Sequence, residues 1–415
     1  MKIRRTIPPA AAPLPAAVLL HGAAGLLFPA RALNRLTREL KEYFKVRHAF
    51  PVSSGKAALC VILRALKSLR PERDEVLIPA YTCFSVPSAI VKAGLRVALC
   101  DIDPFTFDFD QKLLPGAITE RTLCVVPNHL FGIPADLQEI AKLCAAKGAF
   151  LVEDGAQAMG SSVRGRKLGT LGDAGFFSLG RGKNVTCGAG GVVVTGSAPI
   201  AAAIEREIDG LVFPGPGQAI AELVQAALLA LFLRPSLYWF PAGLPALKLG
   251  ETFFYRDFAI NRLSGVQAGL LRGWQQRLDL SNRARRENAD YFCRHLGIRQ
   301  PRVQPRALLR LPVLSASAAE REGILAGSKE QGLGISSMYP APVNRIEEIR
   351  DQFGSASFPA AQEAADRIVT LPTHPLLTRR DRQAIVRFFR KAVAPANSRS
   401  AAAISGPAGT QAGTL

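Results

Sequence analysis

The chain has 415 residues, 48% of them hydrophobic and 20% charged, with 52 Lys and Arg against 33 Asp and Glu for a formal net charge of +19. That much apolar material fills the cores of two or three ordinary domains and excludes whole-chain disorder. The positive surplus favours anionic partners such as phosphorylated metabolites, nucleic acid or an acidic membrane face; a nucleic-acid role rests on charge alone and is the weakest of these readings.

Residues 1–48 read as an ordered N-terminal arm. The opening Met1-Lys-Ile-Arg-Arg imitates a signal peptide, but Pro8, Pro9, Pro13 and Pro15 interrupt the apolar part, which runs on into a charged helical pattern from Arg31 to Lys45. The seven cysteines are an odd number and include no C-x-x-C pair. We read them as reduced thiols of a cytoplasmic protein, with neither a disulfide framework nor a metal site.

Residues 49–256 alternate short apolar runs with helical stretches, the pattern of an α/β domain with a mainly parallel sheet. Strands are expected at Glu75 to Ile78, Arg96 to Cys100, Thr122 to Val126, Phe150 to Val152, Ala174 to Ser178 and Gly191 to Thr195. Helices are expected at Gly55 to Leu69, Ser85 to Ala93 and Ala135 to Lys147. Within this region an apolar insertion occupies 219–250. Its stretch Ala219 to Leu233 spans only about 22 Å as a helix, too short to cross a bilayer. It suits a membrane-interface anchor, a subunit contact or core packing, and the residues leave all three open.

Residues 257–395 read as a smaller α+β domain. It opens on a helical pattern from Ser264 to Leu280 and continues through a basic helix from Asn282 to Leu296, a strand near Ala307 to Val313, a helix from Ser317 to Gln331 and a final basic helix from Arg379 to Lys391. The tail, 396–415, is rich in Ala, Gly and Ser and is expected to be disordered.

Chemistry concentrates in five segments. Phe177-Ser-Leu-Gly-Arg-Gly-Lys183 places one lysine in a glycine-rich loop between two strands, where small residues let the backbone approach a ligand and a lysine of lowered pKa can form a Schiff base. The loop is neither a dinucleotide fingerprint, because Gly188-Ala-Gly-Gly191 leads into a strand, nor a P-loop, because Asn184 follows Lys183. Phe150-Leu-Val-Glu-Asp154-Gly-Ala-Gln157 sets a carboxylate at a strand end, with Glu153 expected on the opposite face. Val52-Ser-Ser-Gly55-Lys56, Ile78-Pro-Ala-Tyr81-Thr-Cys83 and Val126-Pro-Asn-His129-Leu-Phe-Gly complete the set.

These five motifs, in this order, resemble the DegT/DnrJ/EryC1/StrS family of sugar aminotransferases. The likeness spans about Arg5 to Val393 and includes Tyr339-Pro-Ala-Pro and Leu371-Pro-Thr-His-Pro. It implies the fold type I of pyridoxal-phosphate (PLP) enzymes: a large α/β domain with a mainly parallel, seven-stranded sheet, a smaller α+β C-terminal domain, and a homodimer. By the same resemblance Lys183 would carry PLP and shuttle the proton. Asp154 would pair with the pyridine nitrogen, Gln157 would lie near the phenolic oxygen, and Ser178, Gly55 and Lys56 would hold the phosphate. Tyr81, His129 and Arg181 are candidates for substrate contacts.

Three positions depart from the family pattern. Lys56 stands where relatives carry Thr, and Cys83 where they stack an aromatic ring. Ile260 replaces an asparagine that reaches the partner subunit's phosphate, which makes Asn261 the candidate substitute. The implied reaction moves an amino group from an amino acid, glutamate in the first instance, to a keto group of a nucleotide-linked sugar for cell-surface polysaccharide. A different PLP reaction or a keto sugar free of nucleotide is the nearer alternative. A non-catalytic scaffold held peripherally at the inner membrane face through 219–240 is the farther one, favoured by that apolar stretch and opposed by Lys183 and Asp154.

Overall fold

The apolar runs of the sequence assemble, in a computed structural model describing residues 4–247, 249–298 and 307–393, into one seven-stranded sheet with helices on both faces. Its strands are β1 (His48–Val52), β2 (Glu75–Pro79), β3 (Arg96–Cys100), β4 (Thr122–Val125), β5 (Phe150–Asp154), β8 (Ala174–Ser178) and β9 (Gly191–Thr195). A two-residue-per-strand hairpin, β6 (Ser162–Val163) and β7 (Arg166–Lys167), lies between the fifth and sixth of these. The order is β1-β9-β8-β5-β4-β2-β3, parallel from β8 through β3 and antiparallel at β8–β9 and β9–β1.

The central strands are buried on both faces, which is why Val76-Leu77-Ile78 and Leu123-Cys124-Val125 are unbroken apolar runs. β1 escaped the sequence pattern because Pro51 sits inside it. Proline has no N–H to give to a ladder, and β1 lies at the sheet edge, where that loss is tolerated.

Helices α1 (Ala16–Leu27) and α2 (Pro29–Phe44) precede the sheet, and α3 (Gly55–Leu69), α4 (Ser85–Lys92), α5 (Leu114–Ala117) and α6 (Leu137–Lys147) connect its strands. Ser54 starts α3 by accepting a hydrogen bond from Ala57 N at 3.1 Å, and the helix is then buried almost throughout between the sheet and its neighbours. After β9 come α7 (Ala198–Asp209), α8 (Pro216–Phe232), α9 (Trp239–Ala242) and α10 (Gly265–Leu270).

The continuous helix expected from Ser264 to Leu280 is absent. A capping box of Ser264 and Gln267 starts α10, the chain turns at Leu271 to Gly273, and α11 (Trp274–Leu296) begins afresh. Gly273, at φ +67°, supplies the left-handed residue that this break requires. Val266, Ala268 and Leu270 pack with α1, α2 and the back of the sheet, so α10 belongs to the layer of the large sheet.

The smaller region pairs β10 (Arg310–Leu314) antiparallel with β11 (Ile368–Pro372) beside α11, α12 (Ala318–Gln331), α13 (Pro359–Arg367) and α14 (Arg379–Ala392). Its core is continuous with Tyr81, Leu130, Phe131 and Ile133 from the loops of the large sheet. The N-terminal arm straps the two together. Thr6 N and Ile7 N donate to Pro235 O and Gly332 O at 2.8 Å each, and His374 Nε2 donates to Pro8 O at 2.8 Å. The tail expected to be disordered lies outside the described residues.

Candidate active site

Open α/β sheets bind ligands beyond the carboxyl ends of their parallel strands. Here those ends deliver the loops after β2 (Ala80 to Ser85), β4 (Val126 to Gly132), β5 (Gly155 to Gly160) and β8 (Leu179 to Gly190) to one side. Lys183, half-buried, sits in the last of them. Burial holds its ammonium below the usual lysine range; Cys83 and then Asp154 pull it back up, and Arg310 pushes it further down. Asp154 is buried at the tip of β5, and burial raises its carboxyl, against the Ala156 N–H that it accepts at 2.9 Å and the charge of Lys183. The two groups are thus within electrostatic range of each other.

Gly55 forms the cradle at the N-terminus of α3. A Cβ there would come within 2.9 Å of Ser178 Cβ and 3.2 Å of its Oγ, so any side chain would fill the space between them. Ser178 Oγ also accepts from Gly180 N at 3.3 Å. Lys56 Nζ lies over the rings of Tyr255 and Phe258, 4.7 and 4.4 Å from their centroids, and burial lowers its pKa. A helix N-terminus and a hydroxyl around a space free of side chain suit a phosphate, and Lys56 lies on the first turn of that same helix. With the buried Asp154 and the lysine of lowered pKa, the residues present fit PLP.

Gln157 and Cys83 take less simple places. Gln157 Nε2 donates to Tyr339 Oη at 2.8 Å, and its Oε1 accepts from Phe131 N at 3.1 Å. Cys83 accepts from Ser85 Oγ at 2.9 Å and lies 3.6 Å from Thr252 Oγ1, while its neighbour Phe84 is buried in the core between sheet and helices. Neither therefore supplies a free aromatic face. Asn261 pairs its backbone with Ser53 of its own chain, donating to Ser53 Oγ at 3.1 Å and accepting from Ser53 N at 2.9 Å.

Two of the substrate candidates are engaged inside the protein. His129 is fully buried, with Nδ1 accepting from Ala135 N and Nε2 donating to Glu153 Oε2, both at 3.1 Å. Glu153, on the face opposite Asp154, also accepts from the N–H groups of Gly169, Leu171 and Gly172. With both ring nitrogens occupied, His129 ties loops together. Tyr81 is buried too, and its hydroxyl donates to Tyr339 O at 3.4 Å. Arg181 is the exposed candidate, two residues before Lys183 in the same loop.

Four residues around Lys183 were not singled out from the sequence. Arg285, fully buried on α11, donates to Lys183 O at 3.2 Å, Leu309 O at 2.8 Å and Ala11 O at 2.8 Å. Arg310 on β10 donates to Ser336 Oγ at 2.7 Å and Thr370 Oγ1 at 3.2 Å, and burial lowers it to about 10. Tyr339 has its phenol pushed well above the usual range by burial and then by Cys83 and Asp154. Tyr238 brings the apolar insertion to the edge of the site, where Arg310 and Arg181 oppose the rise that burial gives its phenol. The resemblance did contain one signal, Tyr339-Pro-Ala-Pro; the others lie too far along the chain for spacing to reveal.

The sequence profile of the DegT/DnrJ/EryC1/StrS aminotransferase family matches residues 24–229 and 241–390. An L-glutamine:2-deoxy-scyllo-inosose aminotransferase of Micromonospora echinospora is 31% identical over 389 residues, 87% of this chain and 86% of the relative. A UDP-N-acetyl-3-dehydro-alpha-D-glucosamine 3-aminotransferase of Acidithiobacillus ferrooxidans is 28% identical over 337 residues, 80% of each chain. The sugar aminotransferase CalS13 of Micromonospora echinospora has the same fold, with a TM-score of 0.74 at 22% identity over 93% of this chain and 99% of that one.

Proposed function

This chain belongs to the DegT/DnrJ/EryC1/StrS aminotransferase family, and from that premise we propose that it transfers an amino group from an amino acid to the keto group of a nucleotide-linked sugar. It is a PLP-dependent aminotransferase of fold type I. The observation that carries the substrate reading is the pair of arginines near Lys183: Arg181, exposed in the same loop, and Arg310 within electrostatic range. One phosphate belongs to the cofactor; the remaining positive charge suits a diphosphate on the substrate.

When bound, PLP supplies an electron sink and carries the amino group between the two substrates. Ser178, Gly55 and Lys56 would hold its phosphate, and Asp154 would keep its ring nitrogen charged. Lys183 Nζ, whose pKa burial lowers, takes a proton from the amino-bearing carbon of the donor and returns one to the former keto carbon of the acceptor. Tyr339, fixed by Gln157, lies within electrostatic range of Asp154 and Cys83. Donor and acceptor use the same site in turn, with glutamate as the proposed donor and the cytoplasm and a homodimer as the proposed setting.

A second reading follows from the inosose aminotransferase relative, whose name gives L-glutamine and 2-deoxy-scyllo-inosose, a ketone without nucleotide. A panel of nucleotide-linked and free keto sugars, each with glutamate or glutamine and analysed by mass spectrometry, separates the two. Amination confined to the nucleotide-linked compounds supports the first reading. Amination of free ketones alone overturns it.

A further inference from the structure

Helices α1 and α8 bury Gly22, Gly25, Ala219 and Ala226 together with Val18, and leave several of their large apolar side chains exposed. α1 meets α10 glycine to glycine: a Cβ on Gly25 would stand 2.0 Å from Gly265 O, and one on Gly269 2.1 Å from His21 O. That contact uses the glycine side of α1, so Leu20 and Leu27 are left 74% and 73% exposed, with Phe28 at 61% just beyond. α8 lies against α1, its Leu223 reaching Gly22, and it buries Ala219 and Ala226. Ile220, Val224, Leu228 and Leu231 form a straight exposed stripe on its other side.

A soluble surface scatters such side chains; it does not line them up on two adjacent helices. The face is also nearly free of acid. Between Pro13 and Asn34 the one charged residue is Arg31, and between Leu211 and Leu247 there are only Glu222 and Arg234. The Glu222 carboxylate is turned inward, accepting from Ser264 Oγ and Gln218 Nε2. Arg31, Arg38, Arg234 and Arg272 are exposed on α2, at the end of α8 and after α10, the elements that border the stripes. The family profile starts only at residue 24 and is interrupted over 230–240, so parts of both segments lie outside what it matches.

We propose that the α1 and α8 face seats this enzyme on an anionic membrane surface, with both helices lying in the plane of the interface. The apolar stripes would enter the acyl boundary while the arginines meet the headgroups. At about 1.5 Å per residue, helices of this length fall short of the roughly 30 Å hydrocarbon core, and among the described residues no single helix is long and apolar enough to cross it. A second copy meeting this face across a two-fold axis would set one arginine rim against another, which repels. The proposal is independent of which substrate the site takes.

The test is flotation of the full-length holoenzyme with phosphatidylcholine vesicles, with and without phosphatidylglycerol. The wild type is expected to float with the anionic vesicles and to be released by high salt. The Leu20→Glu, Leu228→Glu double variant should lose ~10-fold or more of that partition, with its circular dichroism and PLP absorption unchanged. Should it misfold, Leu27→Ser with Leu231→Ser tests the same stripes by a milder change. A wild type that never floats, or variants that float as well as it does, overturns the proposal. So does a lipid-free wild type that sediments as a larger assembly than the variants, which would make the face a contact between copies.

Discussion

The side-chain amide of Gln157 donates to the phenol oxygen of Tyr339 at 2.8 Å, joining the loop after β5 to the smaller region. Both residues are buried. Tyr339→Phe therefore strands a buried donor, at a cost of about 1–3 kcal/mol. Urea titration of the apoprotein should show that loss, and an unchanged midpoint would mean that water or another acceptor takes over from the phenol.

Lys183→Ala should abolish both the visible absorption that PLP acquires on binding and the turnover, while leaving the melting curve of the apoprotein close to wild type. Asp154→Asn should instead retain cofactor and slow the proton transfer by about 10²–10⁴-fold. Stopped-flow absorbance on mixing with the amino donor distinguishes the two. Loss of cofactor affinity without a slower transfer in Asp154→Asn would reassign that carboxylate to binding alone.

Lys56 carries an unusual charge for its place, and its ammonium is already held by two aromatic rings. Removing a charge-assisted contact to phosphate costs about 1.5–3 kcal/mol, so Lys56→Ala should weaken PLP binding by roughly 10- to 100-fold while sparing turnover at saturating cofactor. Equilibrium dialysis against PLP measures it. An affinity equal to wild type would confine Lys56 to its aromatic contacts.

Asp108 is buried outside the site, and burial pushes its carboxyl up to about 7, against the N–H groups of Phe109 and Asn128 and the nearby His129. Its folded pKa lies above its unfolded one, so the native state holds the proton more tightly. The associated stability is fully present below the unfolded pKa and is lost as pH rises through about 7. Relative to Asp108→Asn, the wild type should lose roughly 2–3 kcal/mol between about pH 5 and pH 8. Parallel denaturation curves at the two pH values read this difference directly, and parallel behaviour of the two proteins would show that Asp108 ionises freely.

Much of the sheet was legible because doubly buried parallel strands must be apolar along their whole length, as Val76 to Ile78 are. β1 was not, because Pro51 reads as a breaker until the strand is known to be an edge. The helix of the smaller region was joined to α10 because apolar spacing carries across Gly273, whose left-handed backbone only the fold reveals. At the site, Lys183 and Asp154 announce themselves by local context. The part played by His129 is fixed by Glu153 on β5 as well as by Ala135 of its own loop, and the first of these could not be read from its motif. Arg285, Arg310 and Tyr339 act across distances along the chain that no spacing rule reaches.

One guanidinium, that of Arg285, gathers carbonyls from the N-terminal arm, the lysine loop and the edge of β10. Three parts of the polypeptide made far apart in time during synthesis are fastened at one point. Neither region can then serve as a finished unit while the other is still being made, and the catalytic loop acquires its final shape only after α11 has emerged. Heating should undo the same fastening in one step, giving a single calorimetric transition in which the lysine loop and the arm are lost together.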